Sequence, residues 1–337
     1  MNNNELRLEQ ITDTIGDLIT GVPAPIRKNF FKAFGQLCTA AVDIPVAKME
    51  SKAAEIRAES AARIQIINKE GQSISEKLEV PKEYIDKASE KFASRVIKEQ
   101  LNLDQIGLNA AYNLAQEDFN EEISDNQKEP KEISDDWLNE FENYAKLKSS
   151  DDMKLIFGKI LSGEIKNPGA YSIRTIRLIS QLDNQAASLF QTLCSITVSI
   201  NIDIGSGIPY DARVVSLNGT AGSNSLSKYG LSYDNLNILQ EYGLITTDYN
   251  SRFPYTVCVI SPSNRIGIGL RFENKTFRLL PNNLDKLDKD LYFNGVTLTK
   301  AGRELLSIIP IKHNEEYGKD FEEYLLNKNF KLVEIKK

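Results

Sequence analysis

Apolar residues recur at helical spacing through the first part of the chain. The spacing predicts amphipathic helices over residues 5–19, 25–42, 47–68 and 82–116, and the third of these is rich in alanine and in charged residues of high helix propensity. Proline and glycine within residues 21–25, and proline in residues 43–45, separate the runs. Residues 1–116 are therefore predicted to form an N-terminal region of long helices.

The helical pattern stops in a strongly acidic segment. Residues 117–136 contain nine acidic residues and two basic ones, with Pro130 among them and few apolar positions. Such a composition favours solvated chain over a packed element. We therefore predict an acidic linker over residues 117–136, which places a domain boundary there.

Helical spacing returns in residues 137–199. Ser149 or Ser150, Ser172 and Asp183 each stand where a helix is predicted to begin, and side chains of this type cap the first turn of a helix. The turn Asn-Pro-Gly at 167–169 separates two of these helices. The segment is predicted to form helical hairpins, with apolar faces that include Trp137, Phe141, Tyr144, Leu147, Met153, Ile156, Ile160, Leu161, Phe190 and Leu193.

After residue 199 the pattern changes to alternating apolar and polar positions, which is typical of strands. Strands are predicted within residues 257–260, 266–272 and 276–280, and helices within 233–242, 299–308 and 319–327. The fold class that follows is mainly α with a mixed α+β C-terminal part over residues 200–337.

Composition indicates an ordinary folded chain. The 337 residues are 41% hydrophobic, and the formal charge is −6, which disfavours a protein whose main task is to hold phosphates. Cys38, Cys194 and Cys258 are far apart and odd in number, so they are expected to be buried thiols in a reducing compartment. No basic and apolar leader of a secretion signal is present at the start, so a cytoplasmic location is expected, without a cofactor.

Three stretches resemble one bacterial family. They are residues 95–106; Trp137-Leu, Asp152-Met-Lys and residues 158–175 taken together; and Tyr242-Gly-Leu-Ile with residues 298–306. The chain is similar there to domain of unknown function 2806, over roughly residues 82–309. That family has no established activity, so the resemblance implies a grouping and no mechanism. The central block is also similar to abortive-infection alpha proteins, which implies phage defence as a setting.

The pair Gly-Leu-Ile (243–245) and Leu-Thr-x-x-Gly-x-x-Leu (298–305), with strands between, resembles the last part of a winged helix. In that interpretation residues 233–242 form the recognition helix. However, residues 229–251 contain no lysine or arginine, while Asp234, Glu241 and Asp248 are acidic, so this helix would repel phosphates. We therefore expect no specific nucleic acid binding, and contact with a protein remains possible for this fold.

Residues 163–175 allow two interpretations. Glu164, Tyr171, Ser172 and Arg174 could form a small polar pocket that binds a ligand or partner, with Glu164 and Arg174 paired. The same side chains could instead build a rigid corner between two helices, which is the more common role of caps and buried ion pairs. The corner is favoured.

The helix predicted at 25–42 also has two interpretations. Its aromatic and basic residues could lie on an anionic membrane surface. They could equally pack on the long helix predicted to follow, which is the commoner fate of such a face. The residues concerned are Arg27, Lys28, Phe30, Phe31, Lys32 and Phe34.

No catalytic motif is evident. His313 is the single histidine, and it follows Pro310 in a predicted loop. The sequence therefore predicts a non-enzymatic interaction or regulatory protein that has a protein partner or associates with itself through its long helices. A membrane-associated effector that uses residues 11–46 is the alternative. A metal-dependent nuclease is a distant one, resting on the Glu-x-Lys triplets at 164–166 and 334–336.

Overall fold

A computed structural model describes residues 18–38, 81–117, 119, 131–201, 207–260, 268–283 and 291–335. The chain divides into two compact units between Pro168 and Gly169. The helices predicted at 5–19 and 47–68 and most of the predicted linker lie outside the described residues. Within the described residues, no helix is both long enough and apolar enough to cross a membrane.

The described part of the first unit is helical. Its helices are α1 (Ala24–Leu37), α2 (Lys82–Ala115), α3 (Asp135–Ala145) and α4 (Asp151–Lys166). The helix predicted at 25–42 ends earlier than expected, because the backbone of Cys38 is extended. The bounds of α2 agree with the prediction within one residue.

Helix α2 packs along α4, and this is the largest helix contact of the unit. The two approach closely at Gly158, where an added Cβ would lie 2.6 Å from the Cβ of Asn109. Gly107 similarly lies against Phe34 of α1, at 3.1 Å from an added Cβ. The core between these helices is apolar and buried, and it includes Phe30, Phe34, Leu103, Ile106, Ala110, Phe141, Phe157 and Ile160.

The end of the predicted linker is held against α1. The buried Asn29 amide donates to the carbonyl of Lys131 at 3.0 Å, and its oxygen accepts from the backbone N–H of Ile133 at 3.2 Å. Ile133 itself is fully buried. Helices on both sides of the predicted linker belong to one unit because α2 packs on α4, so the chain divides at Pro168 and not within residues 117–136.

The described part of the second unit combines five α-helices with a seven-stranded antiparallel sheet. The helices are α5 (Ile173–Gln181), α6 (Asn184–Ser195), α7 (Tyr233–Glu241), α8 (Lys300–Leu306) and α9 (Glu315–Asn327). The strands are β1 (Thr197–Ile200), β2 (Asp211–Val215), β3 (Ser251–Pro254), β4 (Leu270–Phe272), β5 (Lys275–Pro281), β6 (Tyr292–Thr297) and β7 (Phe330–Glu334). The mixed α+β class predicted for this part is confirmed.

The strand order is β3-β6-β2-β1-β4-β5-β7. β1 lies at the centre, where Thr197 pairs with Val214 of β2 and Ile200 pairs with Leu270 of β4. All four residues of β1 and all five of β2 are buried, as expected for central strands covered on both faces.

Local side chains explain where most helices begin. Ser150, Ser172 and Asp183 each accept a hydrogen bond from the backbone N–H three residues later, which confirms the predicted caps. Ser232, Thr299 and Asn314 do the same for α7, α8 and α9.

The strand predicted at 257–260 is wrong. Residues Thr256–Cys258 form a turn of 3₁₀ helix, closed by a hydrogen bond from the Cys258 N–H to the Tyr255 carbonyl at 2.9 Å. Within residues 257–260, Val259 alone forms a β-bridge, and its partner is Leu279. An apolar run of this length is compatible with a buried turn as well as with a strand, which is why the alternation misled the prediction.

Candidate functional site

The four residues of the predicted polar pocket belong to different units. Glu164 is a buried residue of α4 in the first unit, and Tyr171, Ser172 and Arg174 belong to the second. In the second unit, Tyr171 and Ser172 precede α5, and Arg174 lies in its first turn. The three are best described with the residues that they contact there.

A buried carboxylate, Glu304 of α8, receives the start of α5. Its Oε2 atom accepts hydrogen bonds from the Ser172 backbone N–H at 2.9 Å, the Ser172 hydroxyl at 3.1 Å and the Thr175 hydroxyl at 2.5 Å. The N-terminus of a helix carries unpaired N–H groups and partial positive charge, so a carboxylate is stabilised there. Glu304 therefore joins α8 to α5.

Further contacts surround Glu304 between α5 and α8. Its Oε1 atom is buried, has no hydrogen-bond partner among the described residues, and lies 3.7 Å from the ammonium group of Lys300. Tyr171 and Ser307 share a hydrogen bond of 3.1 Å between their hydroxyls. These contacts lie within the second unit, and sequence reasoning did not find Glu304.

Arg174 lies beside the end of α7. Gly243 has a φ of +71°, and an added Cβ there would lie 2.8 Å from Nη2 of Arg174. The Thr299 hydroxyl donates to the carbonyl of Gly243 at 2.6 Å, and any side chain at Gly302 would overlap the carbonyl of Leu244. The segments of this unit that carry the family resemblance thus contact one another, and these contacts hold α5, α7 and α8 together.

A groove of about 330 Å³ lies along the outer face of α7. Tyr233, Asn237 and Gln240 line it from one face of the helix, since they follow each other at four and three residues. Asp248 and Tyr249 line it from the following turn. Of the three acidic residues noted in this segment, Asp248 lines the groove, and Asp234 and Glu241 are exposed elsewhere on α7.

Hydrogen bonds order part of this groove. The Tyr249 hydroxyl donates to Oδ1 of Asn237 at 2.7 Å, so the Nδ2 donors of this amide point away from Tyr249. The rings of Tyr233 and Tyr249 meet edge to face with centroids 5.9 Å apart. Burial raises the pKa of Tyr249, so its hydroxyl keeps its proton as the donor.

The basic residues that flank this segment in the sequence are already engaged. The ammonium group of Lys228 is 2.5 Å from a carboxylate oxygen of Asp320, and this hydrogen bond raises the pKa of Lys228. The guanidinium of Arg252 lies over the ring of Tyr292, 5.1 Å from its centroid. Lys228 is thus neutralised by a carboxylate, whereas Arg252 keeps its charge and is positioned on a tyrosine ring of β6.

Sequence reasoning also missed a buried ion pair in the sheet. Arg213 donates to both carboxylate oxygens of Asp211, at 2.8 and 2.9 Å, and to the carbonyls of Ser251 and Phe293 at 3.0 and 2.9 Å. Tyr255 donates to the same carboxylate at 2.8 Å. The i, i+2 spacing of Asp211 and Arg213 in a strand places both on one face, which is the signal that was available. Every group in this network is paired, which favours a structural role.

Most of the residues proposed for membrane contact are buried or form ion pairs within the first unit. Phe30 and Phe34 are 1% and 3% exposed, and their rings stack at 5.3 Å. Lys28 pairs with Glu132, and Lys32 pairs with Asp135 at 2.8 Å. Arg27 and Phe31 are half-buried. The aromatic face therefore packs on the neighbouring helices α2, α3 and α4. The helix predicted at 47–68, which was expected to cover this face, lies outside the described residues.

The N-terminal half of α2 differs from the rest of the unit. Residues 90–98 are all exposed, including Phe92 at 43% and Val96 at 45%. Positions 92, 96, 99, 103, 106 and 110 follow each other in steps of four and three, so they lie on one face of α2. On this face Leu103, Ile106 and Ala110 are buried, whereas Phe92 and Val96 are exposed. We call Phe92 and Val96 the free seam.

The model of the family described as Protein of unknown function (DUF2806) matches residues 86–322. This range covers the helices and strands from α2 to α9, except for the first residues of α2 and the last residues of α9. Helix α1 and strand β7 lie outside it. Neither the curated proteins nor the solved structures contain a match to the chain. Among the described residues, no group of three or more His, Cys, Asp or Glu is arranged to hold a metal ion.

Proposed function

We propose that this chain, which belongs to the family described as Protein of unknown function (DUF2806), is a non-enzymatic interaction protein that associates with a second copy of itself through the free seam of α2. The single observation that carries the proposal is the exposure of Phe92 and Val96 on a stripe that is buried further along the same helix. An apolar helix face of this kind is normally covered by another element.

The stability of α2 supports a partner at this place. An isolated helical segment of this length is marginal in water, and most helical stability comes from packing of its apolar face. The described contacts of α2 with α1, α3 and α4 involve its later half, where Leu103 and Ile106 are buried. The earlier half, which holds the free seam, gains no such packing from the described residues.

The charge pattern favours a second copy in antiparallel orientation. Residues 83–90 contain three acids and one lysine, whereas residues 91–98 contain three bases and no acid. Two antiparallel copies place the acidic end of each helix beside the basic end of the other, and parallel copies would place like charges together. Such a pairing is isologous, as in most homodimers.

The second unit supports the same class of function. The α7 helix, the bridge between Ile245 and Leu298, the antiparallel pair β3–β6 and the following α8 are consistent with a winged-helix-like arrangement. The acidic character of α7 favours a protein partner over nucleic acid. Phage defence remains a proposal that rests on the resemblance of the central block to abortive-infection alpha proteins.

Sedimentation equilibrium of the full chain tests self-association. We expect the apparent mass to rise from that of a 37.9 kDa monomer toward twice that value as the protein concentration increases through the micromolar range. Val96→Glu should keep the protein monomeric, because glutamate preserves helix propensity and places a charge in the seam. Leu155→Glu is the matched control, since Leu155 is an equally exposed apolar residue of α4 in the same unit.

A wild-type protein that stays monomeric at every concentration would refute the proposal. If residues 39–80 of the same chain occupied the free seam, Val96→Glu would lower the unfolding temperature of a monomer and Leu155→Glu would not. The alternatives have separate assays, namely sedimentation with anionic liposomes for the membrane effector and cleavage of plasmid DNA with Mg²⁺ or Mn²⁺ for the nuclease.

A further inference from the structure

The groove on α7 has the chemistry of a peptide-binding site. We infer that it binds an extended peptide segment that carries a basic side chain, and this inference is independent of self-association through α2. Its floor consists of the half-buried amides of Asn237 and Gln240. A primary amide offers a donor and an acceptor side by side, and the N–H and C=O of one residue in an extended chain also point the same way. The Gln240 amide can therefore exchange paired hydrogen bonds with such a residue.

The N–H donors of Asn237 and the whole amide of Gln240 are available to a ligand. Asn237 uses its oxygen to accept from Tyr249, which leaves its two N–H donors directed away from that hydroxyl. Gln240 makes no side-chain hydrogen bond to any described residue of the protein. Because Tyr249 is 9% exposed and holds the Asn237 amide in one orientation, the floor is ordered before a ligand arrives.

The walls of the groove favour a ligand side chain that carries a positive charge at the end of an aliphatic chain, as lysine and arginine do. The ring of Tyr233 is 44% exposed at one side of the groove, and a lysine or arginine side chain can pack along it. Asp248 lies at the rim, where its Oδ1 atom accepts from the Asn250 N–H at 2.9 Å. Asp234 and Glu241 add negative charge on the same helix.

The same charges disfavour nucleic acid. Residues 229–251 hold no lysine or arginine, while Lys228 is paired with Asp320 and Arg252 stacks on Tyr292. A phosphate in the groove would meet carboxylates and no free cation from this segment. The groove is also open to solvent rather than enclosed, which suits a peptide chain better than a buried small molecule.

Fluorescence anisotropy with labelled hexapeptides tests the site on the full-length protein. Three peptides share an alanine, glycine and serine background and carry two lysines, two glutamates or no charge. We expect the lysine peptide to bind most tightly, with affinity that falls as salt rises. Gln240→Ala should weaken its binding by about tenfold, and Asp248→Asn should weaken it by about threefold and flatten the salt dependence.

The matched control is Gln185→Ala, which removes an exposed amide from α6 of the same unit and should bind as the wild type does. Circular dichroism shows that each variant is folded, and Val96→Glu should bind the peptide normally. Equal binding of the three peptides, binding unaffected by Gln240→Ala, or no binding of the lysine peptide up to millimolar concentration would overturn the inference. Tight binding of a single-stranded oligonucleotide that is lost in Gln240→Ala would assign the groove to nucleic acid instead.

Discussion

Thr175 and Glu304 lie 129 residues apart in the chain, and their side chains share a buried hydrogen bond of 2.5 Å. The carboxylate also accepts from the N–H and hydroxyl of Ser172, so one residue of α8 satisfies the beginning of α5. Two segments that carry the family resemblance are joined by this contact.

Glu304→Ala is therefore expected to destabilise the second unit. The substitution leaves one buried donor, the Thr175 hydroxyl, and two partly buried donors of Ser172 without their acceptor, so the free energy of unfolding should fall by about 3 kcal/mol. Glu304→Gln keeps the shape and should have a smaller effect. Urea unfolding followed by circular dichroism measures both, with the exposed Glu322→Ala as control. A loss equal to that of the control would show that the joint contributes nothing to stability.

Gly158 is expected to tolerate no larger residue. An added Cβ would lie 2.6 Å from the Cβ of Asn109, so Gly158→Ala forces α2 and α4 apart and should reduce the free energy of unfolding by about 1–3 kcal/mol. Gly21→Ala is the control, because an added Cβ there has nothing within 4 Å. Thermal unfolding compares the two. Equal melting temperatures would mean that the helices do not cross at Gly158.

Replacement of Phe30 and Phe34 by alanine separates packing from membrane contact. Both rings are buried, so each substitution should remove about 3–5 kcal/mol from the free energy of unfolding. Phe92→Ala, at a 43% exposed position, should have little effect on the stability of the monomer. The membrane alternative requires the reverse, namely an unchanged melting temperature together with lost binding to anionic liposomes.

Alkaline pH is expected to destabilise the second unit. Burial, with a further contribution from Asp211, raises the pKa of Tyr255 well above its usual value. The unfolded chain loses this proton near pH 10, whereas the folded protein retains it, so the stabilisation is present below about pH 10 and is lost as the pH rises further. Tyr255→Phe should show a shallower decline between about pH 10 and 11.

Urea unfolding at several pH values measures that decline. Tyr210→Phe is the control, because the Tyr210 side chain is 59% exposed. A decline that is identical in wild type and Tyr255→Phe would show that this tyrosine does not contribute to the pH dependence.

Local patterns predicted the parts of the fold that depend on near neighbours. The caps at Ser150, Ser172 and Asp183 and the extent of α2 need only residues within one helix, and all were predicted. The interpretation of residues 257–260 failed because an apolar run does not distinguish a buried turn from a strand. Helix boundaries such as Leu37 depend on tertiary packing and were also misplaced.

The candidate site could be predicted only in part. The acidic character of residues 233–242 was visible in the sequence, but the groove also needs the turn at 247–250, which leads into β3 and its pairing with β6. The partner of Ser172 is 132 residues away, and no spacing in the sequence connects it to Glu304. Glu164 and Arg174, which the sequence suggested as a pair, belong to different units.

The position of β1 determines how the second unit can fold. This strand comes first in chain order and lies at the centre of the sheet, with the edges supplied by β3 and β7. Pairing of Ile200 with Leu270 must close a long loop before the centre is complete, and sheets dominated by such distant contacts fold slowly. Until β4 arrives, one side of β1 remains an open apolar edge. Aggregation during refolding should therefore begin in the second unit, and it should compete with folding more strongly as protein concentration rises.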